Sequence, residues 1–96
     1  MKTYPILKED GRLRAFEITS AWLTFRPIYK VLRGVEGVTD IKRNWFNEDR
    51  ITFSYHSELF VINEPWSDNS RYWVGPKDPN TSKVDLAPLH KAFQDG

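Results

Sequence analysis

The chain has 96 residues, 40% of them hydrophobic and 28% charged, with a formal net charge of +1 and no cysteine. That length makes one domain, residues 1–96, whose core volume comes largely from four Trp, four Tyr and six Phe. The missing cysteine excludes disulfides and thiolate-held zinc or iron–sulfur groups, and the low net charge argues against strong attraction to nucleic acid or anionic lipid.

The opening "MKTYPILKEDG" lacks an apolar signal core, and no stretch approaches the ~18 apolar residues of a membrane span, so a cytoplasmic protein is expected. Asp10-Gly11 stands between two apolar stretches. Gly takes positive φ without steric cost and Asp tolerates it, which predicts a hairpin with strands near Tyr4–Lys8 and Arg12–Thr19. Phe16 and Ile18 then share one face and Glu17 takes the other.

A helix is expected next, capped by Thr19 or Ser20. Ala21, Phe25, Ile28, Leu32 and Val35 repeat at helical spacing, and Gly34 and Gly37 stop the run. Pro27 conflicts with an uninterrupted helix, since it removes a hydrogen bond and kinks the axis. The stripe stays in phase across it, so one bent helix is preferred to a helix that begins near Arg26.

Residues 38–65 read as three strands, with turns at Asn47-Glu48-Asp49 and around His56-Ser57. An even-length loop at His56-Ser57 sets Phe53 against Phe60 and Ile51 against Ile62, whereas an odd one sets polar residues against apolar ones. Arg71–Gly75 is a short strand, in which Tyr72 and Trp73 must point to opposite faces. After a Pro-rich loop, "VDLAPLHKAFQDG" is a short helix with Asp85 as N-cap and Pro88 in its first turn. Leu86, Leu89 and Phe93 form its buried stripe, and Val84 packs on Leu89 as a staple. The order β-β-α-β-β-β-β-α predicts a two-layer α+β domain, with a mainly antiparallel sheet of five or six strands and both helices on one face.

Catalytic groups are scarce. His56 and His90 are far apart and lack carboxylates at helical spacing, so neither a metal nor a cofactor is expected. No Gly-x-Ser-x-Gly elbow or phosphate loop occurs. Turn chemistry accounts for Glu9/Asp10 and Glu48/Asp49. Glu17 is read as a solvent-facing strand residue, with a cleft carboxylate as its alternative.

Two surfaces stand out. "NEPWSDNSRYWVGPKDPN" gathers Trp66, Asp68, Arg71, Tyr72 and Trp73, residue types enriched in interface hot spots. Arg26, Lys30 and Arg33 form a basic helical stripe, followed by Arg43 and Trp45. The preferred reading is a small non-enzymatic interaction or accessory domain whose partner is another protein or a second copy of itself. A small-ligand binder or weak enzyme is the alternative, with Glu17, Asp68, Arg71 and Tyr72 in a cleft under the 64–77 loop. The third reading is single-stranded nucleic acid bound by the basic stripe, against which the net charge of +1 weighs.

Overall fold

The computed structural model describes residues 1–19, 25–44, 48–64 and 71–96. Among these residues six strands form one antiparallel sheet: β1 (Thr3–Leu7), β2 (Leu13–Ile18), β3 (Val38–Arg43), β4 (Asp49–Tyr55), β5 (Glu58–Asn63) and β6 (Tyr72–Pro76). Their spatial order is β1-β2-β6-β5-β4-β3, with β1 and β3 at the edges. Two helices, α1 (Arg26–Arg33) and α2 (Ala87–Asp95), cover one face. This is the two-layer α+β domain that the element order predicts. Among the described residues, no helix is long and apolar enough to cross a membrane.

The hairpins follow their turn chemistry. Gly11 takes φ +86°, and the Asp10 carboxylate accepts the Arg12 N–H two residues on. That backbone hydrogen bond holds the Asp10 carboxyl below its usual range, aided by the Arg12 charge. Between β4 and β5 the loop is His56-Ser57, with φ +48° and +68°, the left-handed pair of a two-residue hairpin turn. Phe53 therefore pairs with Phe60 and Ile51 with Ile62, and all four are buried. Cross-strand apolar pairing selects this register over the odd-loop alternative.

The core lies between the sheet and the helices. Phe16, Ile18, Phe60, Ile62, Val74 and Tyr72 meet Ile28 and Leu32 of α1 and Leu89 and Phe93 of α2. Leu86 is buried beside them, and Val84 is half-buried against the same cluster. The Met1 amino group donates to the carbonyl oxygens of Phe93 and Gly96, tying the start of the chain to the end of α2.

Two helix starts differ from expectation. α1 begins at Arg26 with Pro27 in its first turn, and Phe25 at its N-cap is not helical, with ψ +8°. The bent helix is thus corrected: proline is tolerated where the N–H has no intrahelical partner, so the chain begins the helix there and avoids the cost of a kink. Phe25 still packs against the core from the cap position, which is why the apolar stripe looked continuous. Ser20 and Ala21 lie outside the described residues. In α2, Leu86 is the N-cap, and Asp85 stands one residue earlier, its carboxylate accepting the Ala87 N–H.

Candidate functional site

Alternation along the strands sorts the aromatic–arginine segment onto two faces. Tyr72 turns toward the helices and is only 4% exposed, with its ring edge-on to Phe25. Arg71 and Trp73 go to the opposite face, where Trp73 pairs with Glu17 on one side and Asn63 on the other. Tyr72 therefore does not share a surface with them. Trp66 and Asp68 lie outside the described residues.

The face opposite the helices is furnished with its own side chains. The Arg71 guanidinium carbon stands 3.7 Å from the centroid of the Tyr4 ring, and its Nη1 donates to Glu17 Oε1 at 3.3 Å. Glu17 is thus half-buried and paired. The Trp73 ring lies over the backbone of Gly75 next to Ala15, both buried. Lys77 leaves β6 beside Leu59, to whose carbonyl its own N–H bonds. Its ammonium reaches Asp49, which stands level with Asn63 at the far end of β5, so the side chain crosses β5 diagonally. Burial pushes the Asp49 carboxyl up, but hydrogen bonds from Lys77 and Asn63 outweigh it and leave the group below its usual range. Asp49 is a strand residue with a structural partner rather than a solvated turn acid. Leu59 remains 52% exposed on this face.

The sheet edges are blunted. β1 carries Pro5, which has no N–H to give, and its ladder shifts between Ile6 and Leu7. β3 is broken by a bulge between Thr39 and Lys42, with Asp40 at φ +53°. Proline, bulges and charges on an edge all discourage another strand from adding there.

The basic stripe forms a surface on α1. Arg26, Lys30 and Arg33 are exposed, and Arg33 lies over the Tyr29 ring at 5.7 Å. Arg43, at the end of β3, stands 4.6 Å from the Phe25 ring centroid, which brings it beside the start of α1. Trp45 lies outside the described residues.

One buried acid and its half-buried partner have no place in the sequence reading. Glu64 is 4% exposed and accepts from Arg50 Nε at 2.7 Å. Burial raises the Tyr72 hydroxyl first, the Glu64 charge raises it further, and Arg50 and Arg43 oppose that rise. Tyr72 is therefore a protonated phenol at neutral pH, a hydrogen-bond donor and not a base. The signal for Glu64 was present: it continues the period-2 series Phe60, Ile62, Glu64 on the core face.

The histidines do not meet. His90 Nε2 bonds to Thr3 Oγ1 at 2.8 Å under α2, while His56 sits in the hairpin turn against Gly37. No group of three or more metal-binding side chains occurs among the described residues. The chain matches no protein-family model, no curated protein and no solved structure.

Proposed function

We propose that this is a small non-enzymatic domain of the cytoplasm that binds a protein partner on the sheet face opposite its helices. The observation that carries this reading is the placement of Arg71. It is stacked on Tyr4, paired with Glu17 and followed on the same face by Trp73. Arg and aromatic side chains are enriched where interfaces concentrate their energy. Groups already held in place lose less conformational freedom on binding. Leu59 adds an exposed apolar group to the same face. The half-buried and buried acids support a binding role over catalysis, because each already has a bond within the fold. Glu17 and Glu64 hold arginines, Asp49 holds Lys77 and Asn63, and Glu58 accepts from Ser82 and from the Lys83 N–H.

A homodimer is the case in which the partner is a second copy, and the blunted edges favour face-to-face over edge-to-edge contact. The test is a comparison of the wild type with Arg71→Glu, in light scattering across concentration and in affinity capture from extract. A dimer or a retained protein that disappears in the variant supports the reading. Identical behaviour of the two proteins contradicts it.

A second reading rests on a different observation. Residues 25–44 hold five Lys/Arg against two Asp/Glu, leaving nine against eleven for the rest of the chain. That basic excess surrounds Phe25 and Tyr29, whose rings carry Arg43 and Arg33. Basic groups interleaved with aromatics suit single-stranded nucleic acid. Filter binding of an oligonucleotide at low salt tests it, and retention must fall in Arg26→Glu/Lys30→Glu.

A further inference from the structure

Strand register draws a line of side chains across the face opposite the helices. Tyr4 pairs with Glu17, Glu17 with Trp73, Trp73 with Asn63, and Asn63 with Asp49. Residues directly opposite in a sheet share a face, so this line runs level over β1, β2, β6, β5 and β4. An acid near each end holds a cation: Glu17 holds Arg71, and Asp49 holds Lys77.

The two ends differ in charge. At the Asp49 end one carboxylate meets one ammonium, and they cancel. At the Tyr4 end two cations gather at one ring. The Lys2 ammonium stands 5.6 Å from the Tyr4 ring centroid, and the Arg71 guanidinium carbon stands 3.7 Å from it. Lys2 and Arg71 against Glu17 leave one positive charge over.

Arg71 is also only partly spent. Its side chain is 40% exposed, and among the described residues only its Nη1 makes a hydrogen bond, the one to Glu17. The rest of its planar fork of N–H donors has no acceptor. The stack on Tyr4 and the bond to Glu17 fix that fork before anything binds, so little rotamer freedom is lost when an acceptor arrives.

The fork matches a carboxylate or a phosphate in shape, and charge selects between them. A carboxylate brings one negative charge and balances this end of the line. A phosphate monoester brings about two at pH 7 and would leave repulsion against Glu17. A nucleic-acid strand needs a track of cations along its length. The line offers none, because Asp49 cancels Lys77 at the far end.

We propose that the free edge of the Arg71 guanidinium, with Lys2 beside it, binds a side-chain carboxylate in an acidic segment of the protein partner. The identity of that occupant rests on the sheet-face reading above.

The test is an amide NMR titration at low ionic strength with a short blocked peptide that carries one glutamate. Its glutamine and phosphoserine counterparts and a thymidine oligonucleotide are the comparisons. Saturable shifts are expected at Tyr4, Glu17 and Trp73, and the glutamine peptide should bind about tenfold more weakly. Arg71→Lys keeps the charge but loses the fork, and should weaken binding about fivefold. Lys2→Gln, an exposed change that leaves melting unaltered, should weaken it about threefold. Glu17→Gln adds one to the net charge and should turn the preference toward phosphoserine. The proposal is overturned if the glutamate peptide gives no saturable shift, if the glutamine peptide binds as well, if phosphoserine or the oligonucleotide binds the wild type more tightly, or if Arg71→Lys binds unchanged. The two readings fail separately. A glutamate peptide that binds, with no adduct in extract from a photo-crosslinker at Leu59, keeps the anchor and removes the protein partner. An adduct at Leu59 with no peptide binding removes the anchor alone.

Discussion

The Trp73 ring lies across Gly75, so close that a methyl group on Gly75 would stand 2.7 Å from Trp73 Cη2. It would also stand 2.9 Å from Ala15 Cβ, so no direction is open to it. Gly75→Ala should therefore lift the indole off the sheet and destabilise the fold by about 1–3 kcal/mol, the usual cost of overpacking. Thermal unfolding measures the loss. The Trp emission should shift to the red as Trp73 becomes wetter. An unchanged melting point would mean that the ring does not rest on the glycine.

The pair that buried Glu64 makes with half-buried Arg50 gives a second prediction. The Arg50 side chain is 36% exposed, so water reaches one end of the pair and weakens the penalty for breaking it. Arg50→Met should cost about 1–3 kcal/mol, below the usual price of stranding a fully buried charge. The double variant Arg50→Met/Glu64→Leu should cost less than the two single changes together, because it strands nothing. Additive losses in a denaturant-melt cycle would show that the two groups are not coupled.

Much of this fold was legible because strand alternation and turn length are local rules. Phe53, Phe60, Ile51 and Ile62 could be paired from sequence because a one-residue slip would bury Ser54 and Thr52 instead. The same alternation separated Tyr72 from Trp73. The start of α1 was not legible from the stripe alone, since Phe25 reaches the core equally well from a helical turn or from a cap. Glu64 went unnoticed because residue type suggested solvent where its strand position required burial. The contact of Gly37 with the His56 ring depends on two segments meeting in space, which no period along the chain encodes.

The His56-Ser57 turn can be separated into its two costs. Ser57 at φ +68° has no ring to seat, so Ser57→Gly should relieve left-handed strain and stabilise the protein by up to about 1 kcal/mol. Gly37→Ala should do the opposite, because it meets the His56 ring and adds strain at φ +93°. Paired thermal melts read both, and the signs should differ.

Burial holds the His90 imidazole below its ordinary value of 6.5. A group with a depressed folded pKa contributes stability that is complete above its unfolded value and is lost as pH falls through the folded one. Unfolding free energy should therefore decline between about pH 7 and pH 5. His90→Gln, which can still bond to Thr3, should flatten that decline. Asp49 and Asp10, both held below their ordinary 3.8, act in a separate and lower window, where acid removes their contributions as they protonate. A pH profile unaltered by His90→Gln between about pH 7 and pH 5 would remove His90 as its cause.

The claim that the face opposite the helices binds a protein is tested most directly by a photo-crosslinking residue at Leu59, which is 52% exposed and borders Lys77 on that face. The control position is Lys91, exposed on α2 across the molecule. Irradiation in native extract should join the Leu59 variant to one discrete protein, or to a second copy of this chain, and the Lys91 variant to neither. No adduct from Leu59, or the same adducts from both positions, would contradict the account.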